Sequence, residues 1–191
     1  MGANEHKGWY SRGYLPHCDE PYRVQMITIR LADSLPIEVM KKIEEGHLGQ
    51  PKSEKWEKID EYLDLGHGSC HLADPRIATV VENALLYFDD QRYNLVAWVI
   101  MPNHVHSVIE ILEGFSLVKI IHSWKSYSAN IANKVLGRKG VFWQPEYFDR
   151  FMRNADHLEN AVNYIHANPI KAGLVDNAED WPFSSARLFS K

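Results

Sequence analysis

Hydrophobic and polar residues alternate along the chain with two periods, which predict strands and helices in turn. Residues 22–31 carry apolar and β-branched side chains at alternate positions with one change of phase, so they predict a strand with a bulge. Two β-branched runs, 93–101 and 103–112, meet at Pro102 and predict an antiparallel hairpin. Alternating aromatic residues in 141–152 predict a further strand.

Apolar residues at helical spacing fill most of the remaining chain. Residues 36–65 predict a pair of charged helices with solvated outer faces. Helix-capping residues introduce three more helices, which are expected over about 74–91, 116–136 and 156–168. The last one, capped by Asp156, should stop near Asn168, because a proline disfavours helical geometry in the residue before it.

Without the charged pair, the predicted order is strand, helix, strand, strand, helix, strand and a terminal helix. This order matches the split βαβ plan, an α+β fold with a four-stranded antiparallel sheet. At 191 residues, and without a Gly/Ser-rich or Pro-rich linker, the chain is predicted to form a single domain over 1–191. The pair at 36–65 is then an insertion of architectural function.

Composition indicates the class of protein and its cellular compartment. Hydrophobic residues make up 45% and charged residues 24%, as in an ordinary globular protein. Two cysteines far apart in the chain imply no disulfide framework, and no apolar run approaches the roughly 18 residues needed to span a bilayer. We therefore expect a cytoplasmic protein without a membrane partner.

Charge is distributed unevenly around the net value of −4. The insertion at 36–65 has five basic and eight acidic residues, which makes it a poor candidate for contacting phosphate. Residues 116–153 have seven basic and two acidic residues with aromatic residues interleaved, a combination that suits single-stranded DNA. A solvated helix face beside a core strand would give the same pattern. The DNA-binding candidates are Lys119, Lys125, Trp143, Arg150 and Arg153.

Two histidines have a spacing that is informative. His104 and His106 are two apart on a predicted strand, so both imidazoles leave the same face, and Val105 points into the opposite layer. Two neutral imidazoles so placed can bind one divalent cation, although a hydrogen-bonded pair would have the same spacing. His67, Cys70 and His71 also lie close together, but the glycines between them favour a loop over a zinc site.

Tyr164 and Asn168 are four apart on the last predicted helix and so share one face. Close to a cation and a phosphate, a tyrosine hydroxyl can attack phosphorus and become covalently linked to it. By itself, this position is more typical of an amphipathic tyrosine, with its ring in the core and its hydroxyl at the rim. His166, two residues from Tyr164, should face elsewhere on the helix as a structural or solvent-facing side chain.

Taken together, two motifs resemble the REP-associated tyrosine transposases, of the single-tyrosine, HUH-type superfamily. They are Met-Pro-Asn-His-Val-His at 101–106 and Tyr-Ile-His-Ala-Asn-Pro-Ile-Lys-Ala-Gly-Leu-Val at 164–175. The similarity runs from about Leu15 to Ala186, and the combination of motifs is specific. Ser107 and the Gln25-Met26 stretch replace residues that are more apolar in relatives.

The resemblance implies a ferredoxin-like domain that cleaves single-stranded DNA. His104, His106 and Asn168 would bind Mg²⁺ or Mn²⁺, and Tyr164 would be the nucleophile of a 5′-phosphotyrosine intermediate. The expected partners are hairpin-forming, REP-like DNA elements, and the protein would be a monomer or a homodimer. Two imidazoles also suit Zn²⁺, but chemistry on phosphate oxygens favours Mg²⁺ or Mn²⁺.

Two other functions are compatible with the same residues. A domesticated relative could bind structured single-stranded DNA without cutting it, since the basic and aromatic segment alone explains such binding. A zinc hydrolase of small substrates would need a general-base carboxylate, and none lies at a recognisable spacing from the histidine pair.

Overall fold

A computed structural model describes residues 6, 8–11, 16–36, 38, 39, 41 and 52–189. The six strands are β1 (Gly8–Ser11), β2 (Pro16–Asp19), β3 (Val24–Arg30), β4 (Tyr93–Ile100), β5 (His104–Ile111) and β6 (Phe148–Phe151). The four long helices are α1 (Lys52–Asp64), α2 (Pro75–Leu86), α3 (Leu117–Val135) and α4 (Ala155–Lys171).

Strands β4, β5, β3 and β6 form one sheet in that order, and every neighbouring pair is antiparallel. The first and third strands of the βαββαβ unit, β3 and β5, are therefore central, as the split βαβ plan requires. The predicted fold class, an α+β, ferredoxin-like sheet with helices, is confirmed. The register pairs Thr28 with His106 and also with Phe148, which places these three side chains in one row across the sheet.

Both faces of the sheet are covered. Helices α2 and α3 pack on one face, where Ile27, Ile29 and Ile109 belong to the larger core cluster. Helix α4 packs on the other face, where Ala161 and Ile165 meet a smaller apolar cluster. The two histidines of β5 project toward α4, because Val105 between them lies in the larger core.

The expected bulge lies in a different strand from the predicted one. Strand β3 pairs with β5 in unbroken register from Val24 to Arg30, whereas β4 shifts register between Leu95 and Ala97. The change of phase in β3 has another cause: Met26 packs toward α4 and Ile27 toward α2 and α3, so a sheet buried on both faces produced the signal.

Three predicted helix boundaries were wrong. Helix α2 ends at Leu86 instead of near residue 91, and Asp90 follows it with a left-handed backbone (φ 58°). Helix α4 is capped by Asn154, whose side chain accepts from the His157 N–H, and not by Asp156. It also continues through Pro169 to Lys171.

The insertion is described only in part. Its second helix is α1, whose buried Ile59 and Leu63 pack against Leu35. Of the first predicted helix, residues 38, 39 and 41 are helical, and the rest lies outside the described residues. Across the part of the chain that the structure describes, no helix is both long enough and apolar enough to cross a membrane.

Candidate active site

The two histidines form a buried pair against the tyrosine helix. The ring centroids of His104 and His106 are 4.6 Å apart, and the Tyr164 ring lies 5.5 Å from that of His106. Both imidazoles are fully buried. The sheet and the helix therefore bring the histidine pair together with Tyr164, which lies 60 positions after His104 in the same chain.

Each imidazole is oriented through its Nδ1 atom. His104 Nδ1 donates to the Asn103 side-chain oxygen at 2.7 Å, and His106 Nδ1 hydrogen bonds with the Thr28 hydroxyl at 2.8 Å. Burial lowers the pKa of His106 to about 3, and burial together with the neighbouring His106 lowers the pKa of His104 well below its usual value. Both rings are thus neutral near pH 7.

Several polar atoms that meet at this site have no hydrogen-bond partner among the described residues. They are Nε2 of His104, Nε2 of His106, both side-chain atoms of Asn168 and Oδ1 of Asp64. Burying such atoms unpaired is unfavourable by about 1–3 kcal/mol each, so a ligand is expected to satisfy them. Two neutral imidazoles and an amide oxygen fit a divalent cation.

The candidate cation site lacks a complete set of charged ligands. Within the residues that the structure describes, no three His, Cys, Asp or Glu side chains form a group that could hold a metal ion. The predicted donor set of His104, His106 and Asn168 would therefore depend on an amide from α4. Such an open set leaves coordination positions for oxygen atoms of a substrate.

Tyr164 is held between the histidines and helix α1. Its hydroxyl donates to Oδ2 of Asp60 at 3.2 Å, and Lys171 Nζ lies 4.6 Å from its ring centroid. Burial, followed by the negative charges of Asp60 and Asp64, raises the pKa of the phenol above its usual value. The hydroxyl is therefore protonated, and its hydrogen bond already points to an acceptor.

The sequence analysis missed the carboxylates of the insertion. Asp60 and Asp64 lie one turn apart on α1, and Asp64 Oδ1 is 3.9 Å from His104 Nε2. Burial raises the pKa of Asp64 to about 6, while the Lys171 charge acts in the opposite direction. The predicted function of the insertion was architectural. Its two aspartates at i, i+4 share one helix face, but their spacing alone does not show what that face meets.

The five DNA-binding candidates have different environments. Lys119, Arg150 and Arg153 are exposed. Lys125 is partly buried, and its ammonium donates to the carbonyls of Gln144 and Pro145. Trp143 is buried in the core with its indole N–H donating to Ser128, so neither ring face is available for base stacking. The aromatic periodicity that singled it out came from packing.

The second histidine cluster adopts the loop structure favoured by its glycines. Cys70 Sγ donates to the Gly66 carbonyl at 3.1 Å, and His71 Nε2 accepts from Arg138 at 3.0 Å. His166, expected to be structural or solvent-facing, hydrogen bonds with Ser185 at 2.8 Å.

Comparison with known proteins agrees with this arrangement. The family described as Transposase IS200 like matches residues 74–168, which include the histidine pair, Tyr164 and Asn168. Over these residues, the chain belongs to that transposase family. The REP-associated tyrosine transposase of Escherichia coli (strain K12) is 31% identical over 96 residues, an alignment that covers 50% of this chain and 56% of the relative. The resemblance inferred from the two motifs is confirmed.

A second IS200-like relative and a solved structure extend the comparison. The putative REP-associated tyrosine transposase of Haemophilus influenzae (strain ATCC 51907 / DSM 11121 / KW20 / Rd) is 26% identical over 103 residues, covering 49% of this chain and 58% of the relative. The chain thus spans little more than half the length of these curated relatives. A REP-associated tyrosine transposase bound to a REP hairpin has the same fold, with a TM-score of 0.56 at 20% identity over 94% of this chain and 82% of that one.

Proposed function

We propose that this IS200-like chain cleaves and rejoins single-stranded, hairpin-forming DNA through a covalent 5′-phosphotyrosine at Tyr164. The observation that carries the proposal is the set of buried, unpartnered donor atoms beside the tyrosine. Family membership and the relatives' names give the reaction class, and the hairpin-bound relative gives the DNA class. The cation would be Mg²⁺ or Mn²⁺ rather than Zn²⁺, because phosphate oxygens are the remaining ligands.

His104, His106 and Asn168 would hold the cation. Both imidazoles are neutral with an unpartnered Nε2, and α4 carries Asn168, whose side chain is buried near the Tyr164 hydroxyl. When bound, the cation would stabilise negative charge on the scissile phosphate. The chain's own contribution is a rigid, buried donor set that is oriented before DNA arrives.

The chemical step exchanges one phosphate ester for another. The Tyr164 oxygen attacks phosphorus, the bond from phosphorus to the DNA 3′-oxygen breaks, and the released 3′-oxygen takes up a proton. The phenol proton passes to Asp60, the acceptor of its hydrogen bond. Since a phosphate ester is retained, a DNA 3′-hydroxyl can reverse the reaction without ATP. Tyr164 lies beside the histidines of its own chain, which supports attack within one chain.

The DNA track is proposed to run across the sheet face that carries the site. Met26 of β3 pairs with Arg150 of β6, so Arg150 shares this face and lies one residue row from His106. Strands are about 4.8 Å apart and same-face residues about 6.8 Å apart along a strand, which places Arg150 roughly 12 Å from His106, about two nucleotides away. Arg153 follows β6 and is exposed as well.

Covalent capture of DNA tests the nucleophile. Incubation of a labelled hairpin oligonucleotide with Mn²⁺ should give a denaturant-stable adduct, which Tyr164→Phe abolishes. Tyr127→Phe is the matched control, because Tyr127 is half exposed on α3. An undiminished adduct from Tyr164→Phe would remove the proposed nucleophile.

Metal-site variants separate catalysis from binding. His104→Ala and His106→Ala should lose adduct formation and keep most of their affinity for the hairpin. Salt-dependent hairpin binding by the wild-type protein without any adduct would instead identify a non-cleaving DNA-binding relative. Stoichiometric zinc with esterase turnover would point to a hydrolase.

A further inference from the structure

We infer that Asp64, from the insertion that precedes the family's matched segment, is an additional cation ligand at the transposase site. The inference rests on the proposed function, because it adds one donor to the same cation. The family match begins at residue 74, so α1 lies outside it. The geometry that points to Asp64 is the approach of its unpartnered Oδ1 to the unpartnered Nε2 of His104.

The separation of these two atoms is compatible with a shared cation. Ligand atoms bonded to one cation at about 2.1 Å each can be at most roughly 4.2 Å apart. Oδ1 of Asp64 and Nε2 of His104 are 3.9 Å apart, inside that limit. The pair is too far apart for a direct hydrogen bond, which explains why neither atom has a partner.

The position of Asp64 is unfavourable without a ligand. A carboxylate at the last residue of a helix faces the negative end of the helix dipole, and the last turn of α1 contains no basic residue. Glu61 on the same helix adds repulsion, and Lys171 from α4 offsets part of it. Charges placed unfavourably for their helix usually occur at functional sites, where a bound partner compensates for the cost.

The chemistry of the donor set gives a second reason. His104, His106 and Asn168 are all uncharged, whereas hard cations such as Mg²⁺ and Mn²⁺ prefer anionic oxygen. Asp64 supplies that charge from a helix whose end is fixed to the site, since Asn103 donates to the Leu63 carbonyl at 3.1 Å. His104, His106 and Asp64 do not form a metal-holding group as they stand, so the Asp64 carboxylate would move toward His104 when a cation binds.

Mn²⁺ titration calorimetry on the DNA-free protein tests the assignment without any catalytic readout. Asp64→Asn should weaken Mn²⁺ binding by roughly tenfold or more, and His104→Ala should do so at least as strongly. Glu61→Gln, an exposed change on the same helix that removes only a charge repelling Asp64, should not weaken Mn²⁺ binding. Unaltered Mn²⁺ affinity in Asp64→Asn, with loss in His104→Ala, overturns this inference alone. Unaltered affinity in both variants overturns the proposed cation site.

Melting temperature and Cd²⁺ binding distinguish a metal-binding Asp64 from a purely structural one. Asp64→Asn in the absence of metal should melt no lower than wild type, whereas a structural carboxylate would make it melt lower. Asp64→Cys should gain Cd²⁺ binding with a thiolate charge-transfer absorption that wild type, titrated in parallel, does not show. Folded Asp64→Cys without that absorption would count against the ligand role.

Discussion

At the scale of single residues, Asn103 connects the insertion to the histidine pair. Its amide nitrogen donates to the carbonyls of Leu63 and His67, and its oxygen accepts from His104 Nδ1. The last contact fixes the tautomer that presents His104 Nε2 to a cation. From the sequence, Asn103 was only the first residue of the second hairpin run, with no predicted contact to the site.

Replacing Asn103 should therefore affect both folding and metal binding. Asn103→Ala leaves the buried His104 N–H unpaired, so the free energy of unfolding should fall by about 1–3 kcal/mol. Mn²⁺ affinity should fall by roughly 10–100-fold. Urea unfolding and calorimetry measure the two effects. Asn94→Ala, which removes a hydrogen bond to Glu110 on the same hairpin, should leave Mn²⁺ affinity intact; equal losses in both variants would contradict the tautomer argument.

Asp60 offers a separate prediction about the proton of Tyr164. In Asp60→Asn the amide oxygen can still accept the tyrosine hydrogen bond but cannot take up the proton. We expect the rate of adduct formation to drop by about 100-fold, with Mn²⁺ affinity unchanged. Removal of the Asp60 charge by itself would lower the pKa of Tyr164, so a slower reaction isolates the proton-acceptor role.

Single-turnover adduct assays check this expectation, and Glu61→Gln is again the matched change on α1. If Asp60→Asn forms the adduct at the wild-type rate, the proton of Tyr164 leaves by another route. Loss of Mn²⁺ binding in the same variant would instead give Asp60 a part in the cation site.

At the scale of elements, the tyrosine helix ends differently from the sequence prediction. Pro169 lies inside α4, and the helix stops where Gly173 adopts a left-handed backbone (φ 67°). The Leu174 N–H bonds to the Pro169 carbonyl and the Gly173 N–H to the Ile170 carbonyl, a Schellman pattern. This cap, together with burial of Asn168 and Pro169, outweighs the local preference against helix before proline.

Gly173→Ala tests the importance of that cap. A Cβ at position 173 meets no neighbouring atom within 4 Å, so the expected effect comes from the backbone alone. The free energy of unfolding should fall by about 1 kcal/mol, because alanine disfavours the left-handed region. Chemical denaturation measures it, with Asn163→Ala on the exposed face of α4 as control. No change for Gly173→Ala would show that the left-handed cap contributes nothing to the stability of α4.

These elements also show which parts of the fold and of the site could be predicted from the sequence. The β4–β5 hairpin and α4 were predictable, because apolar period and turn residues coincide with what each element buries. Asp60 and Asp64 were not, since their carboxylates reach the site only through the docking of Ile59 and Leu63, which is a tertiary event. The alternating aromatic residues around Trp143 reflect burial in the core. The sequence pattern alone does not distinguish a buried aromatic residue from one that contacts DNA.

At the scale of the whole molecule, both edges of the four-stranded sheet have neighbours. Strand β2 of the N-terminal hairpin, which the sequence analysis did not predict, adjoins β6, where Asp149 hydrogen bonds His17 and accepts from the Cys18 N–H. On the opposite edge, the segment 181–185 lies along β4. Covered edges prevent strand pairing between molecules, which an exposed β4 would invite.

The C-terminal segment should therefore stabilise the monomeric sheet. Its hydrogen bonds to β4 join Ile100 N–H to the Phe183 carbonyl, Trp181 Nε1 to the Ile100 carbonyl, and the Ser185 hydroxyl to both backbone groups of Trp98. At about 1 kcal/mol for each of these four bonds, deletion of residues 181–191 should lower the free energy of unfolding by about 4 kcal/mol.

The same deletion should also make the protein self-associate, because it uncovers the β4 edge on the side of the sheet away from Arg150. Urea unfolding and sedimentation velocity measure the two effects, with a chain ending at residue 189 as control. Ser185→Ala alone should show a smaller loss of about 1–3 kcal/mol and no association, because the strand stays covered. A truncated protein that remains monomeric at wild-type stability would mean that the segment does not protect the edge of β4. The hydrogen bond between Ser185 and His166 of α4 would then be the main reason for the segment's position.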